Sequence, residues 1–163
     1  MSKEESMVYV FDTAPLIVLF EYFYPATFPR LWQLFNELVD CLRVVSVREV
    51  ANEIGRYAGQ NRLTQWTKAN PSFFPIPTSD EMTYVSEIFK QPHFQAMIEK
   101  RKRLEGQPVA DPFVIARARA LSGCVVAKEK YKPNAAKIPN ICAHFKVDYS
   151  DLEGFMKRMG WAF

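Results

Sequence analysis

The chain has few glycines and cysteines and no long hydrophobic run, and each shortage excludes a class of protein. Six glycines in 163 residues form neither GxGxxG nor GxxxxGK, so the glycine-rich loops that bind nucleotides are absent. No apolar run approaches the roughly 20 residues of a membrane span, and the polar first residues resemble no targeting peptide. The two histidines are far apart and lack metal-ligand spacing.

The cysteines indicate the compartment. Cys41, Cys124 and Cys142 are odd in number, lie in apolar runs and show no CxxC spacing. We therefore expect reduced core residues and a cytoplasmic protein with no membrane partner.

The composition predicts one folded domain over residues 1–163. Hydrophobic residues make up 48% of the chain and aromatic residues 14%, enough for a substantial core. The net charge of +3 favours polyanionic partners only weakly.

Short apolar runs alternate with amphipathic segments along the chain. Strands are predicted at 7–11, 42–46, 124–127 and 147–149, with a further edge strand considered within 71–77. Helices are predicted after residue 12 and at 28–42, 47–57, 61–70, 79–89, 92–105, 112–122, 138–145 and 151–159, the last of them capped by Ser150. This order predicts an α/β fold, a three-layer α/β/α sandwich with a mainly parallel sheet.

Acidic residues recur where the predicted strands end. Asp12 follows the first strand, and Glu53 lies on the helix after the second, with Glu49 one turn earlier as second choice. Asp111 begins the helix before the third strand, and Glu129 follows that strand. Because parallel strands carry ligands at their carboxyl ends, we expect these acids to face one pocket.

Each acid also has a purely structural interpretation. Asp12 and Asp111 stand near prolines at helix starts, where aspartate is a favoured cap. Glu49 fits a capping box that begins with serine, and Glu129 fits a solvated charge between two lysines.

Several carboxylates in one pocket repel each other unless a cation balances them. Oxygen ligands without histidine or cysteine suit Mg²⁺ or Mn²⁺. Such an ion supports attack of water on a phosphodiester bond. Thr13 is a candidate to orient a ligand carboxylate or a water.

Basic residues provide candidates for substrate binding. The run Lys100 to Arg103 is either a solvated helix face or an arm that binds phosphate or an acidic partner. Arg101, Arg103 and Lys128 are the phosphate-binding candidates.

Four sequence blocks together resemble the PIN-domain nucleases, in particular the VapC-like toxins and an uncharacterised PIN-like bacterial branch. The blocks are VYVFDT from residue 8, VVS at 44–46 with VANEI at 50–54, ADPFVIARA at 110–118 and GCVVAKE at 123–129. The resemblance implies a magnesium-dependent endoribonuclease that acts on RNA and is often held inactive by a protein antitoxin. It also implies that Asp12, Glu53, Asp111 and Glu129 are the catalytic metal ligands. A second copy of the chain is a further candidate partner.

The sequence departs from that pattern in two places. Where the fourth block usually has a hydroxyl residue, any residue and aspartate, this chain has Ala127, Lys128 and Glu129. A predicted helical insertion at about 60–107 is also long for a VapC-like protein. The alternative function is therefore a catalytically inactive PIN-like scaffold that binds RNA or protein.

Overall fold

A parallel sheet lies at the centre of the computed structural model, which describes residues 2–57, 59, 61–106 and 109–163, apart from the side chains of Glu4 and Tyr57. Its strands are β1 Tyr9–Phe11, β2 Val44–Val45, β3 Cys124–Val126 and β4 Asp148–Ser150, in the order β2-β1-β3-β4. Each neighbouring pair is parallel. The chain first moves to one side of β1 and then returns to the other, so the carboxyl ends of β1 and β3 form the switch point where ligands bind in such sheets.

The helices have the following bounds. They are α1 Lys3–Ser6, α2 Thr13–Tyr22, α3 Pro29–Asp40, α4 Arg48–Tyr57, α5 Arg62–Ala69, α6 Ser79–Phe89, α7 Pro92–Glu105, α8 Asp111–Ala120, α9 Ile138–Phe145 and α10 Leu152–Arg158. A 3₁₀ helix spans Pro71–Phe73. This is the predicted α/β fold.

Aromatic side chains join the sheet to the helices that cover it. The ring of Phe11 meets Phe35 of α3 and Phe155 of α10 edge to face, at centroid distances of 6.1 and 5.0 Å. Helix α8 packs against β1, and α6 packs along α8, where Arg117 forms a buried ion pair with Glu81. Burial among these helices stabilises the short strands of the parallel sheet.

Three predicted local features differ from the structure. Residues 71–77 hold a 3₁₀ helix in place of the edge strand that was considered, although Ser46 N still donates to Phe73 O. Ser150 belongs to β4, and Asp151 caps α10 by accepting a hydrogen bond from Gly154 N at 2.7 Å. The serine of the considered capping box, Ser46, donates its hydroxyl to Phe11 O instead.

Some residues that stand at core spacing in the predicted helices are exposed. Met97 on α7 is 38% exposed and Leu121 is 41% exposed. Leu121 is the C-cap of α8 and lies beyond its last packed turn. Cys41 is also exposed as the C-cap of α3, whereas Cys124 and Cys142 are buried.

The segment predicted as an insertion contains α5, the 3₁₀ helix, α6 and α7. Its predicted end residues, Gln60 and Gln107, lie outside the described residues, so the insertion stays a prediction. Helix α7 ends at Gly106, whose φ of 69° is the left-handed conformation that glycine adopts readily. None of the described helices combines the length and the apolar character that crossing a membrane requires.

Candidate metal and phosphate site

One cavity at the carboxyl end of the sheet contains all four predicted acids. It has a volume of about 330 Å³, and we call it the acidic cavity. Its lining residues are Asp12, Thr13, Ala14, Ile17, Glu53, Arg101, Glu105, Asp111, Lys128 and Glu129. Segments up to 117 residues apart in sequence thus contribute to one surface.

Asp12 joins the end of β1 to the start of α2. Its backbone N donates to Val126 O at 2.9 Å, which fixes the end of β1 beside β3. Asp12 occupies the N-cap position with φ of −76° and ψ of 172°, yet its side chain makes no capping hydrogen bond. The carboxylate lines the acidic cavity instead.

Two donors from different elements orient the Glu53 carboxylate. Thr13 Oγ1 donates to Glu53 Oε2 at 2.5 Å, and the backbone N of Ala110 donates to Oε1 at 3.1 Å. Helix α4 supplies the glutamate, while α2 and the start of α8 supply the donors. Both oxygens are therefore held in place.

Asp111 is ion-paired and does not cap its helix. It is the first residue of α8, with Ala110 at the N-cap position. Arg101 Nη1 of α7 donates to Asp111 Oδ2. The carboxylate is 6% exposed and the arginine side chain 32% exposed, so the pair bridges the inside of the cavity and its rim.

Glu129 is held by a backbone amide. Ile138 N, at the start of α9, donates to Glu129 Oε2 at 3.1 Å. Lys128, its neighbour, is exposed and also lines the acidic cavity.

The acidic cavity carries an unbalanced negative charge. Burial raises the pKa of Asp12 well above its usual value, and the charges of Asp111, Glu53 and Glu129 raise it further against the opposing Thr13 amide. Burial also raises the pKa of Asp111 to about 6, even though Arg101 favours its ionised form. A cation in this cavity would relieve both costs.

The donors suit a hard divalent ion, although the side chains do not already surround one. Among the described residues, no three His, Cys, Asp or Glu side chains form a group that could hold a metal. Arg101, Thr13 and two backbone amides occupy carboxylate oxygens in this arrangement. The carboxylates fit Mg²⁺ or Mn²⁺ in chemistry, and binding would require some of them to exchange these partners.

Two of the predicted residues lie outside the acidic cavity. Glu49 pairs with Arg48 at 2.7 Å and lines a separate cavity beside Phe113. Arg103 donates from Nε to Glu99 O within its own helix.

Glu105 lines the acidic cavity and is a residue that the sequence analysis missed. It follows Arg101 by four residues on α7. That spacing places the two side chains on one helix face and is the signal that would have identified it.

Solved structures with a similar architecture are known. The VapBC-1 structure from nontypeable Haemophilus influenzae is 13% identical, with a TM-score of 0.50 over 90% of this chain and 99% of that one. A VapBC2 structure from Rickettsia felis, bound to a DNA fragment from its promoter, is 11% identical, with a TM-score of 0.47 over 89% and 98%. The chain has the α/β fold of PIN-domain structures.

The family can be stated more closely. Residues 9–163 match the family model described as "Domain of unknown function (DUF4411)", and the chain belongs to this family. No curated protein matches it.

Proposed function

We propose that the protein is a Mg²⁺- or Mn²⁺-dependent endoribonuclease that hydrolyses RNA phosphodiester bonds. The observation that supports this function is the meeting of Asp12, Glu53, Asp111 and Glu129 in one cavity at the switch point of the sheet. Capping and solvation, the structural alternatives for these acids, do not account for that meeting.

The chain's own residues have separable roles in this proposal. Asp12, Glu53, Asp111 and Glu129 would hold the ion, which when bound supplies positive charge at the phosphate and at the attacking water. Thr13 and the Ala110 amide orient Glu53. Arg101 and Lys128 provide positive charge for the phosphate at the cavity, and Arg103 is proposed to contact phosphate farther away.

Metal-dependent RNA cleavage tests this function directly. The protein should cleave RNA with Mn²⁺ or Mg²⁺, and EDTA should abolish cleavage. Asp12→Asn should remove activity, whereas Asp40→Asn, at an exposed acid on α3, should leave it unchanged. Cleavage that survives both EDTA and Asp12→Asn would exclude the proposed site.

A catalytically inactive scaffold is the second candidate function. It is favoured by the glutamate at the fourth acidic position and by the absence, among the described residues, of three acids already grouped as metal ligands. A protein that binds RNA but neither takes up Mn²⁺ nor cleaves RNA would have this function.

Partners and location complete the proposal. The similar solved structures are VapBC toxin-antitoxin structures, which supports a toxin role with a protein antitoxin as partner. Co-expression with the product of the neighbouring gene should then suppress cleavage. The free thiols of Cys124 and Cys142, both buried, support a cytoplasmic location. Light scattering, which measures the mass of the particle in solution, tests whether the protein is a homodimer.

A further inference from the structure

A second cavity lies where the start of α7 meets α9. It has a volume of about 530 Å³, and we call it the histidine cavity. Its lining includes His93, Phe94, Tyr131, Asn134, Asn140 and His144. The rings of Phe94 and His144 meet edge to face at 5.3 Å, and Tyr131 is 56% exposed. Phe94 is only 7% exposed and packs beneath this surface, whereas the exposed rings of His93, Tyr131 and His144 offer flat surfaces on which unpaired bases stack.

Two segments connect the histidine cavity to the acidic cavity. Helix α7 carries His93 at one cavity and Arg101 at the other, about 12 Å apart along the helix axis at a rise of 1.5 Å per residue. The lysine loop, which we define as residues 128–137, begins with Lys128 and Glu129 in the acidic cavity and continues to Tyr131 in the histidine cavity. The two cavities are therefore neighbours.

The lysine loop carries the whole excess charge of the chain. Its four lysines and one glutamate give it a formal charge of +3, equal to the net charge of the entire sequence. Those lysines, at positions 128, 130, 132 and 137, are all exposed. No ion pair between described residues involves them. A concentrated, unpaired positive charge beside an aromatic cavity suits a polyanion with flat rings.

A buried amide lines the histidine cavity and lacks one partner. Asn140 is 8% exposed, and its Nδ2 donates to Lys132 O at 2.6 Å. Its Oδ1 is buried with no hydrogen-bond donor among the described residues. The hydrogen bond from Nδ2 therefore fixes residue 132 of the lysine loop beside the histidine cavity.

We propose that the histidine cavity holds one nucleobase of single-stranded RNA, while the lysine loop binds the phosphates between that base and the acidic cavity. This inference rests on the proposed nuclease function and specifies how its substrate is held. An axial separation of about 12 Å corresponds to about four nucleotides at roughly 3.4 Å each. The bound base therefore lies close to the cleaved bond.

Binding of a labelled single-stranded RNA tests the base site separately from catalysis. Fluorescence anisotropy is measured in EDTA with Asp12→Asn protein, so that no RNA is cut. Tyr131→Ala should weaken binding about tenfold, as expected for loss of one stacked base. Tyr24→Ala is the matched control, since Tyr24 is 58% exposed elsewhere, and it should leave the affinity unchanged.

Salt dependence tests the lysine loop. Lys130→Gln and Lys132→Gln should each reduce the slope of log affinity against log salt by about 0.7 for a single strand. Lys68→Gln on α5 is the control and should not change it. Equal slopes in all three variants would contradict phosphate binding by the loop.

An abasic substitution identifies the bound base. A series of RNAs is made, each with one abasic position at a different place. At one position within about four nucleotides of the cut, the missing base should weaken binding. The same RNA should bind the Tyr131→Ala protein no more weakly than the intact RNA does. Equal affinities of the Tyr131→Ala and Tyr24→Ala proteins for RNA would overturn the base site. Binding of an acidic peptide, but not of RNA, through Tyr131 would also overturn it. Intact RNA binding without metal-dependent cleavage would instead contradict the nuclease function.

Discussion

At the residue scale, the ionised carboxylate of Asp12 lowers the stability of the metal-free protein. Its carboxylate is buried among three other acids, and its pKa is raised well above the usual value of 3.8. A raised acid pKa means that the folded state binds more protons than the unfolded chain. The free energy of unfolding therefore falls as pH rises from the pKa of the unfolded chain to that of the folded state. Asp12 therefore opposes folding at neutral pH unless a cation balances it.

Asp12→Asn should stabilise the metal-free protein at pH 8. We expect the free energy of unfolding to rise by about 0.5 to 3 kcal/mol, the size of a typical single-substitution effect, and this gain should disappear as pH falls toward 4. Urea unfolding at several pH values measures it, with Asp40→Asn as control. With saturating Mn²⁺ the order should reverse, because only the unsubstituted protein gains binding energy. An Asn variant less stable at pH 8 in EDTA would show that Asp12 has a structural role.

Arg101 should compete with metal for Asp111. The guanidinium already neutralises this buried carboxylate, so an ion that binds Asp111 must displace it. Arg101→Gln should raise Mn²⁺ affinity about tenfold by calorimetry, from loss of one charged hydrogen bond, and should weaken RNA binding. Arg103→Gln, which removes an exposed arginine of the same helix, should leave Mn²⁺ affinity unchanged. Equal Mn²⁺ affinity of the two variants would mean that Arg101 does not compete with the ion for Asp111.

The pKa of Asp111 predicts the pH dependence of metal binding. Since burial raises this pKa to about 6, the carboxylate gains a proton as pH falls below 6. Mn²⁺ affinity should therefore decline between pH 7 and pH 5, more steeply than for a carboxylate with an ordinary pKa. Affinity that stays constant over this range would place the ion away from Asp111.

At the scale of elements, one glycine allows β3 to pair with β1. A Cβ at Gly123 would lie 2.4 Å from Val8 O, the oxygen that accepts from Cys124 N. Gly123→Ala should destabilise the fold by about 1 to 3 kcal/mol, because a backbone atom must move. Gly55→Ala is the control, since α4 leaves open space there and alanine favours helix, so it should be neutral or stabilising. Thermal unfolding distinguishes these outcomes.

The elements were predictable where local sequence decides them. Apolar runs that stop at Asp12 and Ser46 marked β1 and β2, and prolines marked the starts of α7 and α8. Exposure depends on packing between distant segments, and this explains why Met97 and Leu121, which stand at core spacing in their helices, are exposed. The periodicity of a single helix does not indicate how much of its apolar face a neighbour covers.

At the scale of the molecule, the parallel sheet gathers the site. Sequence order and the crossover rule were enough to predict that Asp12, Glu53, Asp111 and Glu129 would share a pocket. They could not predict the partners of each carboxylate, because Arg101, Ala110 and Ile138 come from other segments whose placement depends on tertiary packing. The hydroxyl of Thr13 was the exception, since it directly follows Asp12 in sequence.

The location of bound Mn²⁺ is the most direct test of the central claim. Crystals soaked in Mn²⁺ should give an anomalous peak in the acidic cavity, about 2.1 Å from oxygens of Asp12 and at least one of Glu53, Asp111 and Glu129. The same soak of Asp12→Asn crystals should give none there. A peak elsewhere on the surface, or no peak at saturating Mn²⁺, would contradict the account.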